Sequence, residues 1–143
     1  MDVKFDYEFG GKSYFGKIFR PVAKVSFKSE IKDLWSDVWM IVDTGADFTI
    51  LPRYVSNDLG ISLERDCILD TTVGVGGEQK IYLYKQKIRV KIGDFLREIP
   101  LAFFDSDEVP PLLGRLGFME TFDVEFLSLK SHKTIFKNIK SSL

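Results

Sequence analysis

The residues best suited to chemistry are the acid, the hydroxyl and the glycine of Asp43-Thr44-Gly45. They directly follow an apolar run, Val38 to Val42, whose unbroken character predicts a strand buried on both faces. A carboxylate at the end of a buried strand costs free energy unless a partner satisfies it or a reaction uses it. Thr44 adds a hydroxyl that can donate and accept hydrogen bonds, and Gly45 lets another backbone or a ligand approach closely. Taken alone, the tripeptide is also consistent with a strand-end Asx turn.

Two elements before and after this tripeptide are predicted from local pattern. Alternation from Val3 to Phe9, the interruption Gly10-Gly11-Lys12 and the run Tyr14 to Phe19 together predict an N-terminal hairpin. Downstream, Pro52 suits the first position of a short helix from Arg53 to Leu59. The tripeptide is therefore expected between strands, with a helix close behind it.

A glycine-rich hairpin is predicted in the middle of the chain. Its strands are Cys67 to Val73 and Ile81 to Tyr84, and its tip is Gly74-Val75-Gly76-Gly77. Three glycines are more than a turn needs, which favours a mobile flap, although a plain hairpin turn is the alternative. A dinucleotide fingerprint is excluded, because Gln79 stands where the last glycine would be needed and no strand-to-helix context follows.

The rest of the chain is predicted to be mostly strands. The expected elements are strands at Val22 to Phe27, Lys87 to Ile92, Phe95 to Phe104 and Leu112-Leu113, a short helix at Gly114 to Glu120, and a hairpin of Thr121 to Leu129 with Thr134 to Ile139. Strands at intervals of about eight to twelve residues, with one or two short helices, predict an all-β, barrel-like domain.

Composition limits the function further. The 143 residues are 45% hydrophobic and 29% charged, which is typical of one globular domain spanning 1–143. A net charge of -1 gives no indication of nucleic-acid binding. Cys67 and His132 are the one cysteine and the one histidine, so neither a disulfide nor a Cys/His metal site is expected, and no cofactor is predicted. Without a signal-length or membrane-length apolar run, we expect a cytoplasmic protein that does not bind membranes.

A second motif, Pro110-Pro111-Leu112-Leu113-Gly114-Arg115, changes the interpretation of the first. Apolar-Asp-Thr-Gly-Ala-x-x-Thr-Ile-Leu, then a glycine-rich hairpin, then Leu-Leu-Gly-Arg resembles the retropepsin-like aspartic proteases, single-domain relatives of the retroviral proteases. The resemblance runs from about Val38 to Phe126 and covers residues 1–30 and 128–143 poorly. It implies a closed acid-protease-type β-barrel with a flap.

The resemblance also implies a reaction and an assembly. Hydrolysis of an amide without a metal or a nucleophile needs two carboxylates that share one proton around a water molecule. The chain has one Asp-Thr-Gly, so a symmetric homodimer would bring two Asp43 side chains together. The expected substrate is a peptide or unfolded protein, bound as an added strand, with apolar residues flanking the cut.

Residue roles follow from the same resemblance. The catalytic loop would be Asp43, Thr44 and Gly45. Substrate contacts would come from Ala46, Asp47, Phe48, Ile41, Ile50, Val75, Gly76, Gly77 and Leu112. Arg115 would pair with Asp47, and Gly114 would support the loop. Phe48 departs from the pattern, because retroviral enzymes often carry a second acid there. A non-catalytic domain that binds peptides or mediates dimerisation is the alternative.

Overall fold

The computed structural model describes residues 2–74 and 76–137, which form fourteen strands, two short α-helices and one 3-10 helix. In chain order these are β1 Asp2–Asp6, β2 Glu8–Ser13, β3 Gly16–Arg20, β4 Val22–Ser29, β5 Leu34–Val42, β6 Ile50–Leu51, α1 Arg53–Asp58, α2 Leu63–Asp66, β7 Cys67–Gly74, β8 Gly77–Tyr84, β9 Ile88–Ile92, β10 Phe95–Ile99, β11 Ala102–Phe104, β12 Leu112–Leu113, the 3-10 helix Met119–Thr121, β13 Asp123–Leu127 and β14 Lys133–Lys137.

Nine of these strands form one curled sheet. Its order is β10-β9-β4-β5-β12-β6-β11-β8-β7, a half-barrel with β10 and β7 at its edges. The prediction of a mostly β fold is confirmed. Because the two edge strands do not pair with each other, the predicted closure of the barrel is not observed among the described residues. Smaller sheets, β1-β14-β13 and β2-β3, complete the fold.

The main core lies against one face of the large sheet. In β4 the buried side chains of Val25 and Phe27 alternate with more exposed residues, as expected for a strand with one covered face. Fully buried Met40, Phe103 and Phe118 come from distant parts of the chain and join the same cluster. The core therefore holds together the strands that lead into the Asp43 loop.

Strand β5 differs from its prediction in length and burial. It begins at Leu34, so the polar connection before it is shorter than the expected Lys28 to Asp37. Trp39 is 57% exposed, and the prediction of burial on both faces is therefore wrong. Phe5 covers part of this outer face, because its ring makes an edge contact with the Trp39 ring, with 6.0 Å between ring centroids.

The N-terminal hairpin forms, but its turn lies elsewhere than predicted. Strands β2 and β3 are joined at Tyr14-Phe15. Gly10-Gly11 lies within β2 as an irregularity, where the register shifts between Phe9 and Lys12. The preceding strand β1 does not belong to this hairpin, because it pairs with β14 near the other end of the chain.

Helix α1 confirms its prediction to within one residue, with Pro52 preceding it. Two downstream elements differ. The run predicted as a single strand from Phe95 is interrupted at Pro100, which has no N–H to donate to a ladder. The helix predicted for residues 114–120 is a turn followed by the 3-10 helix, because Gly117 adopts a φ of +71° that a right-handed helix does not accept.

The C-terminal hairpin is confirmed as β13 and β14, although the predicted end at Ile139 lies outside the described residues. The ring of His132 at its turn stacks on Phe19, with 4.3 Å between ring centroids, rather than pointing freely into solvent. In residues 2–74 and 76–137, no helix is both long and apolar enough to cross a membrane.

Candidate functional site

Asp43 is positioned by a short parallel pairing between the two sequence motifs. Strand β12 lies beside β5, with Leu112 opposite Ile41 and Leu113 opposite Val42. The pairing continues one step further, since the Asp43 N–H donates to the Leu113 carbonyl at 3.1 Å. The Asp43 backbone is thus fixed by the Leu-Leu-Gly-Arg segment.

The loop after Asp43 folds back on its own carboxylate. The Gly45 N–H donates to Asp43 Oδ1 at 2.9 Å, and the Ala46 N–H donates to the Asp43 carbonyl at 3.2 Å. This is the Asx turn that the tripeptide alone allowed. No hydrogen bond within the described residues uses Asp43 Oδ2 or the exposed Thr44 hydroxyl. One carboxylate oxygen therefore orders the loop while the other is available to a ligand or a water molecule.

The Leu-Leu-Gly-Arg segment also binds the middle of this loop. The Arg115 N–H donates to the Ala46 carbonyl at 3.0 Å, and the Leu116 N–H donates to the Asp47 carbonyl at 2.9 Å. The side chains of Arg115 and Asp47 form an ion pair. Because both side chains are exposed, this pair orients the loop more than it stabilises the fold.

Gly114 fits beneath the same loop with no room for a side chain. Its N–H donates to Thr49 Oγ1 at 3.2 Å, and Thr49 is fully buried. A Cβ at position 114 would lie 2.1 Å from the carbonyl oxygen of Phe48, which is backbone and not the end of a movable side chain. The structural support predicted for Gly114 has this geometric basis.

A cleft of about 320 Å³ opens between the Asp43 loop and the β7–β8 hairpin. Its lining residues are Asp43, Gly45, Ala46, Asp47, Phe48, Ile50, Thr72, Val73, Gly76, Gly77, Gln79, Phe104, Val109 and Leu112. Nine of the residues predicted from the sequence are among them. Carboxylate and apolar groups thus share one cleft, with the glycine-rich hairpin as one wall.

Some predicted site residues lie elsewhere. Thr44 is exposed beside the cleft, and Ile41 is half-buried in β5 without lining it. Gly114 and Arg115 contact the loop but do not line the cleft. Val75, predicted at the hairpin tip, is outside the described residues.

Five lining residues were not predicted. Thr72 and Gln79 are cross-strand partners close to the glycine tip, so the alternation of the hairpin strands could have identified them. Val73 follows Thr72 in β7, and its closeness to the glycine tip could have identified it. Phe104 and Val109 come from β11 and the acidic loop after it, and only the tertiary fold brings them to the cleft.

Comparison with known proteins adds a family match and a structural match. Residues 27–116 match a family model described as aspartyl protease. The crystal structure of a retropepsin-like aspartic protease from Rickettsia conorii matches with a TM-score of 0.62 at 17% sequence identity, over 94% of this chain and 98% of that chain. At this identity the structural match shows a shared fold. No curated protein sequence matched the chain.

Proposed function

The chain belongs to the aspartyl protease family, and from this membership we propose that it is an aspartic endopeptidase that works as a homodimer. Two Asp43 carboxylates, one from each protomer, would activate a water molecule between them. The observation that carries the proposal is the position of Asp43, which lines a cleft with one carboxylate oxygen free of hydrogen bonds within the described residues.

The proposed chemistry divides the work between the two carboxyl groups. The ionised carboxylate takes a proton from water, whose oxygen attacks the carbonyl carbon of the scissile amide. The protonated partner donates its hydrogen to the carbonyl oxygen as negative charge develops there. A proton then passes to the leaving amine as the C–N bond breaks. Two carboxyl groups held close together share one proton because both cannot ionise readily.

The cleft lining suggests the substrate class. Phe48, Ile50, Phe104, Val109 and Leu112 provide apolar surface close to Asp43. An extended peptide with apolar side chains on both sides of the cut fits this lining better than a polar one, because burial of apolar surface is favourable. Backbone groups of the peptide would pair as in an added strand.

The exposed Thr44 hydroxyl supports the two-fold arrangement. It follows Asp43 directly and has no hydrogen bond within the described residues. In a dimer with Asp43 on the axis, identical loops face each other, and the two Thr44 side chains would be close to their symmetry mates.

The test is an Asp43→Asn variant assayed for cleavage of denatured protein from acidic to neutral pH, with and without a statine-type inhibitor. The amide is nearly isosteric but cannot ionise, so we expect activity to fall by about a hundredfold to ten-thousandfold. Asp94→Asn, in an exposed turn remote from the cleft lining, is the matched control and should retain full activity. Wild-type turnover by Asp43→Asn would refute the proposed role.

A second candidate is a peptide-binding domain without catalysis. The hydrogen bond from the Gly45 N–H to Asp43 Oδ1 favours it, since it gives one carboxylate oxygen of the aspartate a structural use. The same assay separates the two functions. A wild-type protein that binds an apolar peptide in calorimetry, yet leaves it intact by mass spectrometry at every pH, is a binding domain.

A further inference from the structure

The N-terminal hairpin, strands β2 and β3 with their turn, projects as an arm that ends in two aromatic residues; we call residues 8–20 the arm. Tyr14 is 98% exposed and Phe15 is 96% exposed. Their rings contact each other edge to face, with 5.4 Å between centroids. Neighbouring aromatic side chains with this much exposure are characteristic anchors for a protein partner, because they bring a large apolar area at low entropic cost.

The arm also carries concentrated positive charge behind its tip. Lys12 and Lys17 are direct cross-strand partners, and no acidic residue lies between positions 10 and 18. Like charges directly opposite each other destabilise a strand pair. An acidic surface against the arm would remove this penalty, so the arm suits a partner with apolar surface bordered by carboxylates.

The arm starts beside the candidate active site. Its last strand continues through Pro21, whose carbonyl accepts a hydrogen bond from the Val42 N–H at 2.9 Å, and Asp43 is the next residue. Stacking of Phe19 on His132 anchors the base of the arm to the C-terminal hairpin. Five residue steps separate the base from the tip, a reach of about 16 Å at about 3.3 Å per residue.

A second cavity adjoins the Asp43 loop, since Asp47 and Phe48 line it. Its volume is about 580 Å³, within the range of about 300–1,000 Å³ common for binding pockets. The apolar part of its lining consists of Phe48, Leu116, Met119, Phe122 and Val124. It adjoins the cleft, since Phe48 lines both.

The rim of this cavity is acidic. Asp47, Glu120 and Asp123 contribute three carboxylates and Arg115 one guanidinium, for a net charge of -2. The two lysines of the arm carry the opposite charge. The same chain therefore presents an aromatic, basic projection and an apolar, acidic cavity, and its own arm leaves the cavity unfilled because both tip rings are exposed.

We propose that the arm of each protomer inserts Tyr14 and Phe15 into this cavity of a second copy of the chain. The inference rests on the homodimer of the proposed function and names the contact that holds it together. A two-fold axis near Asp43 would bring the base of one copy's arm and the cavity of the other copy to the same region, because both adjoin the Asp43 loop. The contact is reciprocal, so it closes a dimer and does not extend into a filament.

Truncation of the aromatic tip is the first test. We expect Tyr14→Ser/Phe15→Ser to raise the dimer dissociation constant in analytical ultracentrifugation by about ten- to a hundredfold. Leu129→Ser is the matched control, since Leu129 is 91% exposed at the turn of the other terminal hairpin and is not part of the arm. Leu129→Ser should melt at the wild-type temperature. The tip variant should melt at the wild-type temperature at protein concentrations low enough for both proteins to be monomeric, because none of the three side chains is buried in the protomer.

Charge exchange is the second test. Lys12→Glu/Lys17→Glu makes the arm acidic, and Asp123→Lys makes the rim less acidic. Each variant alone should dimerise more weakly than wild type. When the two are mixed, the heterodimer has one wild-type contact, between the basic arm and the unchanged acidic rim, which neither homodimer has. In its other contact the acidic arm meets the less acidic rim and avoids the repulsion of the acidic-arm homodimer. Heterodimers should therefore predominate in native mass spectrometry.

The outcomes separate the arm from the catalytic proposal. Wild-type dimerisation by the tip variant overturns the arm contact and leaves the catalytic proposal standing. An arm-dependent dimer without peptidase activity supports the arm and refutes the catalytic proposal. A wild-type protein that stays monomeric at all concentrations overturns the arm contact. Tip-dependent sedimentation with anionic lipid vesicles, without an effect on dimerisation, would also overturn it and assign the tip to a lipid surface.

Discussion

Gly114→Ala should be the most informative single-methyl change in the protein. The added Cβ would lie 2.1 Å from the Phe48 carbonyl oxygen, 2.3 Å from the Phe48 carbonyl carbon and 2.9 Å from the Thr49 nitrogen. All three are backbone atoms of the loop that begins at Asp43. The clash therefore cannot be relieved by rotation of a side chain, and the two segments must move apart.

The cost can be worked out from the contacts that this movement breaks. Overpacking of a tight interior costs about 1–3 kcal/mol. Separation also weakens the 3.2 Å hydrogen bond from the Gly114 N–H to buried Thr49 Oγ1, and an unsatisfied buried group costs about 1–3 kcal/mol. We expect a total loss of about 2–6 kcal/mol. For a chain of this length, that lowers Tm by about 7–20 °C.

Thermal unfolding followed by circular dichroism measures this loss. Gly76→Ala is the matched control, because a Cβ there has no heavy atom within 4 Å and Gly76 has no positive φ. Its Tm should stay within about 1 °C of wild type. If Gly114→Ala had the same Tm as Gly76→Ala, the close approach of the two motifs would not exist in solution. The explanation of how Asp43 is positioned would then be wrong.

Two further predictions concern the glycine hairpin and its base. Gly76→Val should leave Tm nearly unchanged but lower kcat/KM, because a Cβ at position 76 has no heavy atom within 4 Å and Gly76 lines the cleft. Full retention of both activity and stability would argue against a role in substrate binding. Burial raises the pKa of the Cys67 thiol to about 11, from about 8.5 in unfolded chains, and the neighbouring Asp66 carboxylate adds to this. The stability from this protonated thiol is complete below about pH 8.5 and is lost as the pH rises toward 11. The free energy of unfolding measured in urea should therefore fall more over that range for wild type than for Cys67→Ala. Parallel curves for the two proteins would contradict it.

Elements with strong local signals could be predicted from the sequence. Pro52 fixed the start of α1, and the glycine tip identified the β7–β8 hairpin. The two motifs gave most of the cleft, because the residues that follow Asp43 are consecutive and remain together in space. Local pattern was sufficient wherever turn chemistry or contiguity decided the structure.

Features decided by distant partners were not predictable in this way. Strand β1 pairs with β14, more than a hundred residues away. The alternation of apolar and polar residues in β1 does not indicate which strand it pairs with. Gly10-Gly11 has the composition of a turn but lies in a strand, because the turn of the hairpin is formed by Tyr14-Phe15. Phe104 and Val109 reach the cleft through tertiary contacts, which explains why they were missed.

The position of β12 explains why the two motifs had to be interpreted together. This two-residue strand lies between β5 and β6, parallel to the first and antiparallel to the second, and so closes the loop that connects them. The N–H groups of Arg115 and Leu116 then bind the carbonyls of Ala46 and Asp47. Because the second motif and the Asx turn order the loop, Asp43 Oδ2 and the Thr44 hydroxyl are not needed for that purpose. Those two groups are the ones that a second protomer and a substrate water would have to meet. The same arrangement offers no second carboxylate in an Asp-Thr-Gly loop from the same chain, so a protomer alone prepares half of the proposed site.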